Sequence, residues 1–169
     1  WEADLPYPLC TPVTWIDSGS GERAVMEDEP RKGVLLNQHE LQVCLHLIKQ
    51  LARPEHLEKL KAEKSDKHPY PVGIITMYSA QKRLLEEELS RAEWAAQIRN
   101  LIKIDTVDSY QGQENKIIIL SLVRNNDRGL QGFLVSPSRI NVALSRAQER
   151  LVIIGAQRMW RAANHSSAL

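Results

Sequence analysis

Two polar segments of this chain carry the side chains that a phosphate or nucleic-acid site needs. The first is TVDSYQGQE at residues 106–114, which combines hydroxyls, carboxylates, amides and a glycine. The second begins near Ser136 and Pro137 and contains two arginines, Arg139 and Arg146. A guanidinium group binds phosphate oxygens as a planar fork, whereas hydroxyls and backbone N–H groups bind them as single donors. The two segments therefore favour a site for phosphate groups.

Short apolar runs lie before, between and after these segments and are typical of strands. The flanking runs are 101–104, Ile117–Val123 and Leu151–Ile154, and two more occur at Pro12–Asp17 and Val72–Thr76. They are mostly continuous and rich in Ile, Val and Leu, which is the pattern of strands buried on both faces. Helical patterns separate them, so the sequence predicts an α/β domain with a mainly parallel sheet flanked by helices. Ligands of such sheets bind beyond the carboxyl ends of the strands, and we expect both polar segments to meet at that edge.

The second polar segment is predicted to form a helix. Ser136 can cap it, and Pro137 suits its first position, where a missing N–H is harmless. The residues expected to face the sheet are Ile140, Leu144 and Ala147. Three arginines form a stripe beside that face: Arg139, Arg146 and Arg150. Periodicity alone fits an ordinary surface helix equally well, because such helices usually carry some charged residues.

Two further helices are predicted upstream. One begins at Asn37, which together with Glu40 three residues later has the pattern of a capping box. Its apolar face is predicted from Leu41, Cys44 or Leu45, Ile48 and Ala52. The other helix begins at Ser79, with an apolar face of Leu85, Leu89, Ala92 and Ala96. Residues 18–33 and 53–70 lack a sustained apolar period, and we expect variable loops in both, with a partly helical course as an alternative for the second.

Composition and charge exclude several classes of protein. The 169 residues are 43% hydrophobic and 25% charged, which is ordinary for a globular domain. The net charge is only +1, so nucleic-acid binding would need a local groove rather than a strongly basic surface. Cys10 and Cys44 lack the spacing of metal ligands, so no metal site is predicted and both are expected to be reduced thiols in an intracellular protein. No apolar run reaches membrane-spanning length, and no membrane partner is predicted.

The order and spacing of several motifs resemble one protein family. The chain reads VDSYQGQE at 107–114, SLVRNN at 121–126, GFL at 132–134 and SRINVALSRAQ at 138–148. These stretches resemble motifs V and VI of superfamily 1 helicases, in the branch that contains the nonsense-mediated-decay RNA helicase. That branch shows VDxFQGxE, SxVRxN, GFL and RRLNVALTRAR. The last arginine of the family's motif VI is Gln148 here, which puts a second phosphate contact in doubt.

A further segment upstream extends the resemblance over most of the chain. The stretch GIITMYSAQKRLL at 73–85 is similar to the family's motif IV, GIITPYxxQ, with Met77 in place of the proline. The resemblance implies a three-layer RecA-like domain of the P-loop NTPase type, the second of the two motor domains of a helicase. The first residue is Trp1 rather than Met, and we expect residues 1–169 to be a single domain cut from a longer protein.

The resemblance also implies roles for individual residues. Arg146 would be the arginine finger, the catalytic group that reaches the γ-phosphate of ATP across the cleft between the two motor domains. The other residues assigned to the nucleotide are Gln81, Gln111, Gly112, Glu114 and Arg139. The residues assigned to a single strand of DNA or RNA are Thr76, Tyr78, Thr106 and Ser109. From the residues alone, ordinary turn chemistry explains Ser109 and Thr76 equally well, as packing at the end of the sheet explains Tyr78.

The parts that hold most of ATP and its Mg²⁺ are missing from this sequence. No GxxxxGK[ST] phosphate cradle occurs, and the one Asp-Glu pair, at Asp28 and Glu29, follows no predicted strand. In the resembled family these parts lie on an upstream RecA-like domain, which is therefore the expected partner. A degenerate motor half that now binds nucleic acid or regulates a partner is the alternative, and Gln148 favours it slightly. An unrelated flavodoxin-like module fails to explain why the motifs occur together in order.

Overall fold

The sheet predicted from the apolar runs forms the centre of the structure. The computed structural model describes residues 5–20, 26–110 and 112–161. The strands are β1 Val13–Asp17, β2 Asp28–Arg31, β3 Val34–Leu36, β4 Val72–Thr76, β5 Ile102–Thr106, β6 Asn115–Ser121 and β7 Ala147–Gly155. The helices are α1 Gln38–Leu51, α2 Pro54–Glu63, α3 Ser79–Arg91, α4 Pro137–Leu144 and α5 Gln157–Arg161. Short 3₁₀ turns occur at Glu93–Ala95, Arg99–Leu101 and Gly132–Val135.

Five strands form one parallel sheet in the order β1-β7-β6-β4-β5. In its middle, Ile74 of β4 lies opposite Ile104 of β5 and Ile119 of β6. Strands buried on both faces need apolar side chains at successive positions, which explains the continuous runs in the sequence. The prediction of a parallel α/β sheet is confirmed.

Helices cover both faces of this sheet, which gives three layers. On one face α1, α2 and α3 pack against a first core cluster, whose members include Leu41, Leu47, Leu60, Ile74, Leu85 and Ile117. On the other face α4 and α5 pack against a second cluster: Ile75, Tyr110, Ile118, Leu120, Ala143 and Ile153. None of the described helices is long and apolar enough to cross a bilayer.

The two helices predicted upstream begin where their sequences indicated. Helix α1 follows Asn37 and buries Leu41, Cys44 and Ile48 of its predicted apolar face. Helix α3 begins at Ser79 but ends at Arg91, so the predicted face is shorter than expected. Ala92, which caps the end of α3, still packs against the first core cluster, whereas Ala96 is exposed beyond the helix.

The prediction for the helix of the second polar segment was partly wrong. Pro137 opens α4 as expected, but Ser136 makes no side-chain capping bond, and the helix ends at Leu144. Ala143 is the buried residue of α4, whereas Leu144 is 40% exposed. The helical period seemed to continue because Ala147, the first residue of β7, packs against the same core cluster. The arginine stripe therefore does not exist: Arg146 lies in a turn, and Arg150 is buried in β7.

The two predicted variable loops contain regular structure. Within residues 18–33, β2 begins a two-stranded antiparallel hairpin with β3, and its turn uses Gly33 at a φ of +79°. Within residues 53–70, α2 buries His56, Leu57 and Leu60. The hairpin escaped prediction because β2 is polar and exposed, whereas α2 agrees with the partly helical alternative for residues 53–70. At the end of the chain, residues 157–161 form α5, and residues 162–169 lie outside the described residues.

Candidate nucleotide and nucleic-acid sites

The first polar segment crosses the molecule from one edge of the sheet to the other. It leaves the carboxyl end of β5 at Thr106 and enters the amino end of β6 at Asn115. Because these strands are parallel, the start and the end of the segment lie at opposite edges. Thr106 and Ser109, whose hydroxyls are 3.2 Å apart, lie toward the carboxyl edge. Glu114 lies at the amino edge.

The second polar segment crosses in the same direction. Helix α4 follows the carboxyl end of β6 and precedes the amino end of β7, so Arg139 in its first turn lies at the carboxyl edge. Arg146, past its end, lies at the amino edge, where its carbonyl accepts a 3.0 Å hydrogen bond from the N–H of Asn115. The expectation that both segments meet at the carboxyl edge was therefore wrong. Each segment links the end of one parallel strand to the beginning of the next, and so contributes to both edges.

At the amino edge, Arg146 is held by neutral acceptors. Its Nε donates to the carbonyl of Val142 at 3.0 Å, and its Nη1 donates to the carbonyl of Gln113 at 3.4 Å. Its Nη2 also bonds the hydroxyl of Ser145 at 2.9 Å. Within the described part of the chain no carboxylate forms an ion pair with this half-buried guanidinium. The guanidinium group is therefore held in one orientation, but its positive charge is not neutralised.

Gly112 and Glu114 lie beside Arg146 at the amino edge. Gly112 has a φ of +78°, a left-handed conformation that glycine adopts without steric cost. Glu114 is exposed, and its carboxylate accepts only a long 3.5 Å bond from the amide of Gln148. Both residues line an open cleft of about 370 Å³ whose other walls include Lys67, His68, Tyr70, Lys103 and Asn115. Gln111, assigned to the same set, lies outside the described residues.

The carboxyl edge holds a second cleft, of about 270 Å³. Tyr78 and Thr106, both assigned to nucleic acid, line it together. Thr76 is fully buried, with its hydroxyl 3.5 Å from the N–H of Tyr78, and does not itself line the cleft. Ser109 is exposed nearby and bonds Thr106. The remaining lining residues are Gly33, Val34, Leu35, Met77, Ser79, Ala80, Arg83, Asp108 and Arg139.

Two residues assigned to the nucleotide lie at the carboxyl edge instead. Gln81 is fully buried: its oxygen accepts the N–H of Asn37 at 2.9 Å, and its amide donates to the carbonyl of Asn37 at 3.1 Å. Arg139 forms a two-bond ion pair with Asp108, Nε to Oδ1 at 2.8 Å and Nη2 to Oδ2 at 3.1 Å. Of the residues assigned to the nucleotide, Gly112, Glu114 and Arg146 therefore lie at the same edge, where Arg146 bonds the carbonyl of the intervening Gln113.

A buried polar network supports the carboxyl edge, and sequence analysis missed it. Asn37 caps α1 as predicted, its side-chain oxygen accepting the N–H of Glu40 at 3.0 Å. The capping box is incomplete, however, because the Glu40 carboxylate turns inward. It accepts bonds from the hydroxyls of Ser18 at 3.1 Å and Ser121 at 2.7 Å, and from the N–H of Val123 at 2.8 Å. Complete burial raises the pKa of Glu40 to about 7, although these hydrogen bonds lower it in part.

This network fixes a strained turn after β6. Val123 has a φ of +70°, and the N–H of Arg124 bonds the carbonyl of Leu122 at 2.8 Å, which defines a γ-turn of the rare, strained type. A β-branched residue adopts such a φ only where its surroundings impose it. Here Glu40 binds the N–H of Val123, and the Asn37 side-chain amide donates to its carbonyl at 3.1 Å. The spacing of Asn37 and Glu40 is the available sequence signal, but on its own it indicates only a helix cap.

Comparison of the sequence with protein-family models and with known proteins agrees with this architecture. A family model described as an AAA domain matches residues 2–158. The chain belongs to this family. This AAA domain is 33% identical, over 85% of its own length and 19% of the relative, to the DNA polymerase alpha-associated DNA helicase A of Saccharomyces cerevisiae. It is 51% identical, over 52% of its length and 8% of the relative, to Helicase required for RNAi-mediated heterochromatin assembly 1 of Schizosaccharomyces pombe.

A third relative extends the match to the branch named from the motifs. The AAA domain is 41% identical, over 52% of its length and 8% of the relative, to a Regulator of nonsense transcripts 1 homolog of Drosophila melanogaster. The resemblance to this helicase branch is confirmed, and with the three-layer parallel sheet it confirms the RecA-like fold. The chain spans 19% or less of the length of these three relatives.

Proposed function

We propose that this AAA domain is the second motor domain of an ATP-dependent helicase that moves along single-stranded DNA or RNA. The observation that supports this most is the course of residues 106–114. Their first residues lie at the cleft that Tyr78 lines, and their last residues lie beside Arg146. One short segment thus contacts both proposed sites, which is the arrangement that a motor needs if nucleotide and strand binding are to affect each other.

The donor set at the amino edge fits one side of a bound ATP. Arg146 offers a guanidinium with no described carboxylate partner, which suits phosphate oxygens, and Glu114 offers an exposed carboxylate, which suits the hydroxyls of a ribose. Gly112 lets the backbone approach closely because it has no side chain. ATP hydrolysis would supply the free energy for movement. The phosphate cradle and the Mg²⁺ ligands are assigned to an upstream RecA-like domain, since the sequence of this chain lacks both motifs.

Arg146 is the residue to which we assign a catalytic role. Carbonyl and hydroxyl acceptors orient its guanidinium without neutralising it, so it can stabilise negative charge on a transferring phosphoryl group. Such arginines typically raise the turnover rate by about a thousandfold or more. Arg146 acts from the opposite wall of the cleft, so this chain alone should not hydrolyse ATP.

At the carboxyl edge, Tyr78 and Thr106 would contact the backbone of a single strand. Thr106 donates its hydroxyl proton to Ser109, which leaves the exposed Ser109 hydroxyl as a donor for a phosphate, and the largely buried Tyr78 lines the cleft. Contacts of this kind involve phosphates, sugars and ring faces, and they distinguish poorly between base sequences. Binding is therefore expected to be sensitive to salt and tolerant of sequence.

A degenerate motor half that only binds nucleic acid is the second candidate. Gln148 favours it, because the resembled motif has an arginine at this position. The oriented charge of Arg146 and the exposed carboxylate of Glu114 are arguments against it, since a module without turnover has no use for them.

Strand-stimulated ATPase activity of the complete protein separates the two candidates. We expect Arg146→Lys to lower kcat by two orders of magnitude or more with a smaller effect on the KM for ATP, because lysine keeps the charge but loses the planar fork. Arg99→Lys is the matched control, since Arg99 also donates to backbone carbonyls, those of Leu89 and Ala92. A wild-type protein with no ATPase activity would support the degenerate half. Normal kcat in Arg146→Lys would show that another residue is the finger.

A further inference from the structure

The cleft at the carboxyl edge contains two arginines that the motifs did not assign to a strand. Arg83 lies in the second turn of α3, and Arg139 lies in the first turn of α4. Both line the cleft of about 270 Å³ together with Tyr78 and Thr106.

The walls of the cleft suit a sugar-phosphate backbone. The hairpin of β2 and β3 contributes Val34 and Leu35, an apolar surface against which a sugar can pack. The beginning of α3 also lines the cleft, through Ser79 and Ala80. No side chain caps α3, and its first turn contains no acidic residue, so nothing negative on that helix end opposes an anion.

The two arginines differ in what already neutralises them. Arg83 is exposed, and no carboxylate among the described residues forms an ion pair with it. Arg139 is bound by Asp108 through two parallel hydrogen bonds of 2.8 and 3.1 Å. A carboxylate that binds a guanidinium in this way occupies the donors that a phosphate would use. Asp108 is itself a lining residue of the cleft, so a phosphate and Asp108 would meet Arg139 in the same space.

We infer that Arg83 and Arg139 bind a backbone phosphate of the single strand in this cleft, and that Asp108 competes with that phosphate for Arg139. The inference rests on the proposed function and adds to it the residues that hold the phosphodiester. Arg83 provides a charge that is available before the strand arrives. Arg139 exchanges its carboxylate partner for the phosphate, and the Asp108 ion pair keeps its guanidinium aligned in the free protein.

Strand binding by the complete protein tests this inference, with labelled oligothymidylate and oligouridylate as separate probes at several salt concentrations. Arg83→Ala and Arg139→Ala should each weaken binding by roughly tenfold and make the salt dependence shallower by about 0.7 for each lost phosphate contact. Arg91→Ala is the matched control for Arg83→Ala: it removes one charge from the far end of α3, where Arg91 pairs with Glu87 and Glu88. It should leave both quantities unchanged.

Asp108→Asn tests the competition. It should tighten binding by about fivefold, because the phosphate no longer has to break an exposed ion pair between Asp108 and Arg139. In the Arg139→Ala background the same change should alter affinity by less than about twofold, because the competitor has lost its target. Asp127→Asn is the control, because it removes the same charge and breaks an ion pair with Arg158 outside the cleft.

The outcomes separate this inference from the proposed function. A wild-type protein that binds neither probe contradicts the proposed function itself. Normal wild-type binding that Arg83→Ala and Arg139→Ala leave intact contradicts only the inference. A gain from Asp108→Asn that persists in the Arg139→Ala background shows a general charge effect and overturns the competition. If Arg83→Ala abolishes ATP binding while strand binding is normal, the cleft belongs to the nucleotide, and the inference is wrong. The probe that the wild-type protein binds more tightly shows whether the cleft prefers DNA or RNA.

Discussion

The two edges of the central sheet are built in different ways. At the carboxyl edge, a buried network around Glu40 holds the chain after β6, and it uses one carboxylate to satisfy three donors. At the amino edge, Arg146 and Glu114 are partly or largely exposed, and the guanidinium rests on backbone carbonyls and a hydroxyl. The buried network of the first edge is complete within the described part of the chain. The second presents charged groups that lack a counterpart there.

This difference indicates that one edge stabilises the fold and the other binds a ligand or a second domain. A buried, saturated network fixes geometry, and its loss removes stability. Exposed charged groups held by weak contacts contribute little to stability and are available for a ligand or a second domain. The buried network around Glu40 should therefore tolerate few substitutions. The amino edge should tolerate them structurally and lose function instead.

The largest expected effect on stability comes from Glu40→Ala. The change leaves the hydroxyls of Ser18 and Ser121 and the N–H of Val123 without their buried acceptor, so we expect a loss on the order of 3 to 5 kcal/mol in the free energy of unfolding. Arg146→Ala, its counterpart at the amino edge, should cost less than about 1 kcal/mol. Urea denaturation of both variants measures the contrast. Equal losses would mean that the two edges do not differ in this way.

The next effect is a pH dependence that belongs to the carboxyl edge. Burial raises the pKa of Glu40 from 4.5 to about 7. Below pH 4.5 the carboxyl is protonated in both states, and its contribution to stability is complete. Between these values the unfolded chain ionises first, so the free energy of unfolding falls as pH rises, by on the order of 3 kcal/mol in total. Above pH 7 this contribution is lost and no longer changes.

Glu40→Gln isolates that contribution, because glutamine resembles the neutral carboxyl and does not titrate. The variant should show a flatter stability profile across this pH window than the wild type, as measured by denaturation at several pH values. A profile that keeps the wild-type slope would assign the pH dependence to other groups.

The smallest expected effect comes from Gln148→Arg, which restores the arginine of the resembled motif. Gln148 already lies 3.5 Å from the Glu114 carboxylate, so an arginine there should form an exposed ion pair worth less than about 1 kcal/mol. Because that pair would occupy Glu114, we expect a modest rise in the KM for ATP of the complete protein and little change in stability. A large gain in kcat would instead show that the missing arginine was a catalytic contact.

The sheet was predictable because its signal is local. The runs at Val72–Thr76 and Pro12–Asp17 are apolar at most positions, and the observed strands β4 and β1 agree with them closely. The hairpin of β2 and β3 was not predictable from such a signal, since β2 is DEPR and fully exposed. Its position depends on contacts with distant parts of the chain, among them the bond from the N–H of Glu27 to the carbonyl of Asn125.

The site was predictable in its residue types but not in its arrangement. The motifs singled out Arg146 and Thr106, each of which lines a cleft, but gave no direction to the segments that contain them. Only the parallel pairing of β5, β6 and β7 with their neighbours shows that each segment crosses the sheet. The buried role of Glu40 depends on Ser121, which is 81 positions away, and no local pattern indicates that contact.

The most direct test of the account is whether nucleotide at the amino edge changes strand affinity at the carboxyl edge through residues 106–114. The measurement is the Kd of the complete protein for labelled oligouridylate or oligothymidylate, with and without a saturating non-hydrolysable ATP analogue. We predict that the analogue shifts the wild-type Kd by about fivefold or more. In Arg146→Ala, with saturation by the analogue confirmed separately, the shift should fall below about twofold. An undiminished shift in Arg146→Ala, or no shift in the wild type, would contradict the account.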